Sequence, residues 1–510
     1  MNKFDVVVIG AGIGGLSAGA LLADSGGFQV LILEYLPFIG GRCSSLKHKG
    51  YTMTTGAVAI EGGGSLQRIF DDLGLPFDLR YPEPQVKYLI KGQQHEPPKK
   101  GALGFLMTEA CGSPDEADRV MKGLRETTEL PPPDVSVADW LSGYTNDPGI
   151  HGIFRALCGG IISLSLDEAG AAELISLIRA RSFRRFGFPP GGNAEIAETL
   201  GRVVERAGGS ILAGSKATNI LIDDGEISGV QWIEDGRKEQ VSCSFVISNA
   251  GIGKTVELAG RQWFSAEELS RIDQAKAAYS MTIEILSHRP QIDFPGLLYL
   301  PEARRAAFAA CPSLLCPEWA PEGMHLNLIL GAPSRSEEPF DGQTELELLL
   351  EDAKEFFLDF DQETDDWIMR SFRKDWPGFR GRPGHGFGPE TSVNGLFNVG
   401  DSVNPPTFYG VSGAAESARD VAVIVKRCRM PFYPVHSFCY LASQSPTWKY
   451  TEKVPFSAYA RSRPTESFCF SISIYLMPPP PAQFVGELPR SPTLPATRPP
   501  PPNARAVHRR

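Results

Sequence analysis

The stretch from Asp5 to Glu34 constrains this chain more than anything that follows it. Val6–Ile9 is a run of four apolar residues, the composition of a strand buried on both faces. It leads into Gly10, Ala11, Gly12, Ile13, Gly14 and Gly15, then a small-residue helix, then a second apolar strand ending at Glu34. Gly10 permits a tight turn, Gly12 lets a pyrophosphate approach the backbone, and Gly15 lets the helix pack on the sheet. The phosphates then meet free N–H groups at the positive end of the helix dipole. Glu34 is placed to accept hydrogen bonds from ribose hydroxyls, and its charge would repel a 2′-phosphate. Strand, glycines, helix, second strand and acid in this order read as a dinucleotide site rather than a bare βαβ unit.

Which dinucleotide is decided further along. After Glu34 comes a second glycine pair, Gly40 and Gly41, followed by Arg42. A guanidinium beside a backbone-only turn suits a further contact to a pyrophosphate. Far downstream, a short apolar strand ends in Gly400 and Asp401, and Gly410-Val411 opens a helix. An acid at a strand end can hold a polyol chain, and a helix N-terminus beyond it can stabilise negative charge on a flavin ring. An NAD site has no need of this late return, so the pairing favours FAD.

Composition sets the limits. At 510 residues the chain is too long for one core, and two domains plus an extension are expected. The net charge of −10 argues against generic nucleic-acid binding. The cysteines stand singly, with no CxxC pair and no metal-ligand spacing, so no metal is expected. Cys311 and Cys316 are read as reduced thiols rather than a disulfide. The apolar N-terminal run is the first strand of the fingerprint, and no segment reaches the roughly 20 apolar residues that span a bilayer. A reducing, cytoplasmic compartment is expected.

From Asp5 to about Lys426 the chain resembles flavoproteins of the amine oxidase superfamily, and within it the phytoene desaturase and carotenoid isomerase branch. The fingerprint, the Gly40-Gly41-Arg42 turn, the Gly50–Gly56 segment and the Pro189–Gly192 segment carry the likeness, as does the Gly410-Val411-Ser412-Gly413 spacing. The resemblance implies an α/β fold: a Rossmann-like FAD-binding domain of the glutathione-reductase type with an inserted α+β substrate domain. It implies that Gly56 and Ala57 run beneath the flavin and that the backbone near Ala217 meets the adenine. It implies cofactor contacts from Gly41, Arg42, Gly400, Asp401, Gly410 and Val411. The family often has an acid two residues before the glycine at Gly56; here Thr54 stands there, and no role is carried to it. The expected activity is FAD-dependent chemistry on C–C bonds of an apolar isoprenoid or polyene substrate, by desaturation, saturation or isomerisation, as in carotenoid biosynthesis. An amine or amino-acid oxidase and a non-catalytic flavin-binding protein remain as alternatives.

The cofactor signals are interleaved with segments that carry none. Residues 1–75, 186–255 and 380–427 are assigned to the FAD-binding domain, and 76–185 and 256–379 to the substrate domain. Residues 83–100 read as an edge loop or short hairpin. The apolar run from Ile150 to Ile178 fits a greasy tunnel lining or an ordinary core. Arg179, Arg181, Arg184 and Arg185, with Phe183 and Phe186, fit an anionic membrane surface or a solvated helix face paired with acids such as Asp167 and Glu173. No catalytic base is assigned; His385 is the best-placed histidine. From Cys428 to Arg510 the chain holds 16 of its 42 prolines and one of its 53 glycines, with a local charge of +7. Such a composition cannot bury enough apolar surface to order itself, so 428–510 is read as a Pro-rich disordered tail. It is either a partner or membrane tether or the product of a shifted frame or misjudged gene end, and the last reading is preferred.

Overall fold

The computed structural model describes residues 3–429 apart from 128, 181–184, 358–359, 361–363, 383–385 and 404–407. The tail beyond 429, His385, and the trio Arg181, Phe183 and Arg184 therefore lie outside the described residues.

Five strands make a wholly parallel sheet in the order Leu396–Asn398, Phe245–Ser248, Val6–Ile9, Val30–Glu34, Ser210–Ala213. Val6, Val7 and Val8 have no exposed surface, as a central strand covered on both faces requires. The small residues of helix Ile13–Asp24 let it lie against helices Ala194–Arg206 and Gly410–Cys428. Strand order reverses about Val6–Ile9, so the crevice at the carboxyl ends of the strands is where such a sheet takes a ligand.

A three-stranded antiparallel sheet, Lys216–Asp223, Glu226–Glu234 and Arg237–Ser242, follows the fifth strand. Its two turns are Asp224-Gly225 and Asp235-Gly236, all four residues at positive φ. That is the two-residue hairpin geometry whose twist matches the flanking strands.

The third sheet has seven strands, ordered Thr364–Phe372, Ser280–Ser287, His325–Gly331, Ala306–Ala310, Leu297–Tyr299, Val86–Ile90, Gln93–His95. Residues 86–95 are thus a hairpin at a sheet edge, as their composition predicts. Alternation along the strands sends Met281, Ile283, Ile285 and Ile329 into one core with Leu349 and Ala353 of helix Gly342–Phe356. Leu326, Leu328, Leu330, Phe308 and Tyr299 share the other core with Ile153, Phe154, Leu157 and Ile161 of helix Pro148–Ile162. That helix begins at Asp147, whose carboxylate accepts the Ile150 N–H at 3.0 Å, with Pro148 at the first position.

Two arginines of the basic patch are engaged by the protein itself. Arg179 donates to the carbonyls of Leu124 and Thr127, and the Arg185 guanidinium stacks on the Tyr81 ring at 3.6 Å. Arg304 and Arg305 pair with Asp352, Glu355 and Glu345. Cys311 and Cys316 are both free thiols, which burial pushes up to about 11. Among the described residues no helix is long and apolar enough to cross a membrane.

Candidate functional site

The site is built at the carboxyl edge of the parallel sheet. Val6–Ile9 ends where Gly10, at φ +97°, turns the chain into helix Ile13–Asp24. A Cβ on Gly15 would fall 2.0 Å from the Gly10 carbonyl oxygen, so this helix can dock on the strand only with glycine there. The helix has no side-chain cap and no acid in its first turn, which leaves its N–H groups and positive end facing the crevice.

The second turn is locked to the first. The Gly40 N–H donates to the Ala11 carbonyl at 2.7 Å, and Gly41 packs on Gly12. Arg42 then donates to the carbonyls of Pro377 and Gly378 at 3.0 Å each and pairs with Asp401 Oδ1 at 2.5 Å. The other Asp401 oxygen accepts the Arg380 N–H at 2.9 Å. Burial pushes the Asp401 carboxyl up, but the charge and hydrogen bond of Arg42, with the Arg380 N–H, more than reverse this and hold it below the usual range.

Glu34 is buried at the end of its strand, with Oε2 accepting from the Ala11 N–H at 2.7 Å and Oε1 from Leu36 N–H at 2.8 Å. Each oxygen keeps a second lone pair for an incoming hydroxyl. Burial raises its pKa, and the N–H groups of Leu36, Ala11 and Tyr35 partly offset that.

Gly56 and Ala57 join this assembly through Arg42. The Ala57 N–H donates to the Arg42 carbonyl at 2.8 Å, and a Cβ on Gly56 would sit 1.2 Å from that same oxygen. Gly400 donates its N–H to Ser417 Oγ at 3.0 Å, which docks helix Gly410–Cys428, with Gly410 and Val411 at its start, on the Gly400-Asp401 turn. Ala217 pairs with Trp232 in the three-stranded sheet, two residues beyond Ser215, which donates its N–H to the Glu34 carbonyl at 2.7 Å.

Asn249 belongs to the site although the sequence alone assigns it no role. It follows the strand Phe245–Ser248 directly, and its side chain fills the angle between the two glycine turns. A Cβ on Gly12 would meet its Nδ2 at 2.5 Å, and one on Gly400 its Oδ1 at 2.6 Å. The signal for it was positional: a polar residue one step past an apolar strand, at the sheet edge where ligands bind.

These residues fit a long ligand with a diphosphate and many hydroxyls. Three residues of this region carry buried hydroxyls without a protein partner: Ser402, which follows Asp401, Tyr409, which precedes helix Gly410–Cys428, and Ser215, whose N–H meets the Glu34 carbonyl. Such groups are costly unless a ligand or water bonds them. Among the described residues no cluster of His, Cys, Asp and Glu could hold a metal ion.

A doubly wound sheet with this edge defines a dinucleotide-binding flavoprotein. The chain belongs to the family of flavin-containing amine oxidoreductases, whose model matches residues 13–426, and FAD is its cofactor. All-trans-retinol 13,14-reductase of Macaca fascicularis is 26% identical over 307 residues, covering 50% of this chain and 48% of that one. The chain thus spans about half the length of that relative. Prolycopene isomerase 1, a chloroplastic protein of an Oncidium hybrid cultivar, is 24% identical over 514 residues, covering 83% of this chain and 85% of that one. The solved structure of an oxidoreductase from Methanosarcina mazei is similar with a TM-score of 0.73 at 26% identity, covering 82% of this chain and 99% of that chain.

The bound flavin supplies hydride acceptance and return. The residues present would divide the cofactor among them: the Gly10–Gly15 and Gly40–Gly41 turns would hold the diphosphate, Glu34 the ribose, and Asp401 with the helix at Gly410 the flavin end. The Arg42 guanidinium, expected from the sequence at the pyrophosphate, is instead bonded to Asp401 and to the Pro377 and Gly378 carbonyls.

Proposed function

We propose that the protein is an FAD-dependent oxidoreductase acting on C–C bonds of an apolar isoprenoid or polyene substrate, by dehydrogenation, saturation or isomerisation. The observation that carries this reading is the similarity to a prolycopene isomerase, which runs over 83% of this chain. The partial similarity to a retinol reductase points to the same kind of conjugated, apolar molecule.

A second reading, oxidation of an amine, is favoured by the family model itself, which is named for amine oxidoreductases. Anaerobic mixing of the yellow holoprotein with a linear polyene such as phytoene, and separately with putrescine, divides the two. Bleaching of the flavin by the polyene alone supports dehydrogenation. An unbleached flavin with a changed polyene spectrum supports isomerisation, and turnover of a polyene only after the flavin is reduced supports saturation. Bleaching by the amine alone overturns the proposal.

A further inference from the structure

The hairpin Ser45–His48 and Tyr51–Thr54 leads straight into Gly56 and Ala57, and its last residue meets an unusual pair. Glu284 sits on strand Ser280–Ser287 with none of its surface exposed. Arg370 lies diagonally across from it on the neighbouring strand, since Thr282 pairs with Arg370 and Glu284 with Ile368. The two charges meet at 2.6 Å between Arg370 Nη1 and Glu284 Oε2.

Both also grip one residue from the parallel-sheet side. Glu284 Oε1 accepts the Thr54 N–H at 3.0 Å and its hydroxyl at 3.3 Å. Arg370 Nη1 donates to the Thr54 carbonyl at 2.9 Å, and Nη2 reaches Met53 Sδ at 3.8 Å. A buried ion pair adds little to stability against an apolar pair of equal volume, so its presence here asks for another account.

The contacts onward from Thr54 give one. Thr55 donates its hydroxyl to the Gly41 carbonyl at 2.8 Å and accepts the Ser44 N–H at 2.9 Å. Gly56 and Ala57 close on the Arg42 carbonyl, and Arg42 pairs with Asp401. An unbroken series of bonded residues thus runs from the seven-stranded sheet to the flavin end of the cofactor site.

We propose that Glu284 and Arg370 are positioning residues for the bound flavin, holding the Thr54 peptide from both sides and, through Thr55–Ala57, the Arg42–Asp401 contact. The inference rests on the FAD cofactor and on no particular substrate. Removing Glu284 leaves the Arg370 charge unbalanced behind the segment, whereas removing Arg370 leaves a buried carboxyl that desolvation pushes toward its protonated form. A positive charge favours reduced, anionic flavin and a negative one opposes it.

The test compares the visible spectrum and midpoint potential of FAD bound to the full chain in Glu284→Gln, Arg370→Met, the double variant and Arg370→Lys. The potential is expected to rise in Glu284→Gln and return toward the parent in the double variant, while Arg370→Met, whose buried carboxyl takes up a proton, is expected to shift the absorption band with little change of potential. Arg370→Lys keeps the charge but loses the fork, so it is expected to shift the absorption band with little change of potential. If Glu284→Gln and Arg370→Met fail to fold, the double variant and Arg370→Lys decide the matter by the band shift alone. FAD-loaded variants that melt earlier yet keep the parent spectrum and potential would show a brace for the fold only, and would overturn the proposal.

Discussion

Single atoms decide much of this site, and the glycines show it best. Gly56→Ala would drive a methyl group to 1.2 Å from the Arg42 oxygen, so backbone must move; the expected outcome is loss of FAD on gel filtration and a destabilisation of at least about 1–3 kcal/mol. Gly253 is the contrasting case, lying in helix Ile252–Ala259 with nothing within 4 Å of a built Cβ. Gly253→Ala is expected to raise stability by about 0.4–1 kcal/mol and leave the flavin spectrum unchanged. Asp401 carries a pH signature. Its carboxyl titrates lower in the folded protein than in the unfolded chain, so its stabilising contribution is full above the ordinary carboxylate range near pH ~4 and is lost as pH falls through the folded value. Asp401→Asn should therefore flatten the acid limb of melting temperature against pH. An acid limb that matches the parent would remove Asp401 from that account. Glu34, shifted the other way by burial, works with opposite sign, its contribution being lost as pH rises.

Elements are held together by partners far apart in sequence, and here reading a sequence reaches its limit. The helix Gly342–Phe356 is tied to the sheet by Asp352, which accepts the N–H groups of Arg304 at 2.9 Å, Arg305 at 2.6 Å and Ala306 at 2.8 Å. Asp352→Ala leaves these donors unsatisfied at roughly 1–3 kcal/mol for a buried one. The melting temperature should drop sharply while the flavin absorption of the protein that remains folded stays as in the parent. Nothing around Asp352 in the sequence announces this, because its partners lie nearly fifty residues back. Asn249, which lies against Gly12 and Gly400, carries only a positional signal, and Glu284, which reaches Thr54, carries none. Thr54 was legible only as a departure from the family pattern; that an acid approaches the same peptide from another sheet was not. By contrast, the unit from Val6 to Glu34 was readable in detail, since each role depends on neighbours within one βαβ turn. Gly400-Asp401 was readable as a strand end, whereas the pairing of strand Leu396–Asn398 with Phe245–Ser248 was not. Register between distant strands is set by packing, not by local pattern.

At the scale of the whole chain, the residues to 429 hold every element described, and the family match ends at 426. A product ending at residue 429 is expected to stay soluble and retain FAD, as judged by the ratio of flavin to protein absorbance. Loss of either property would sink the reading of the tail as a frame or gene-end product and restore it as a working part. The edge strand Leu396–Asn398 and the helix Gly410–Cys428, which lies along helix Ile13–Asp24, come last in this order. During synthesis the first wall of the nucleotide site leaves the ribosome almost at once, and the last wall only near the end. Until then the sheet stands with an unpaired edge beside Phe245–Ser248, a template for wrong partners. The cofactor site thus cannot be complete until its last strand and helix have been made, and the interval before that is when an open sheet edge is exposed to wrong partners.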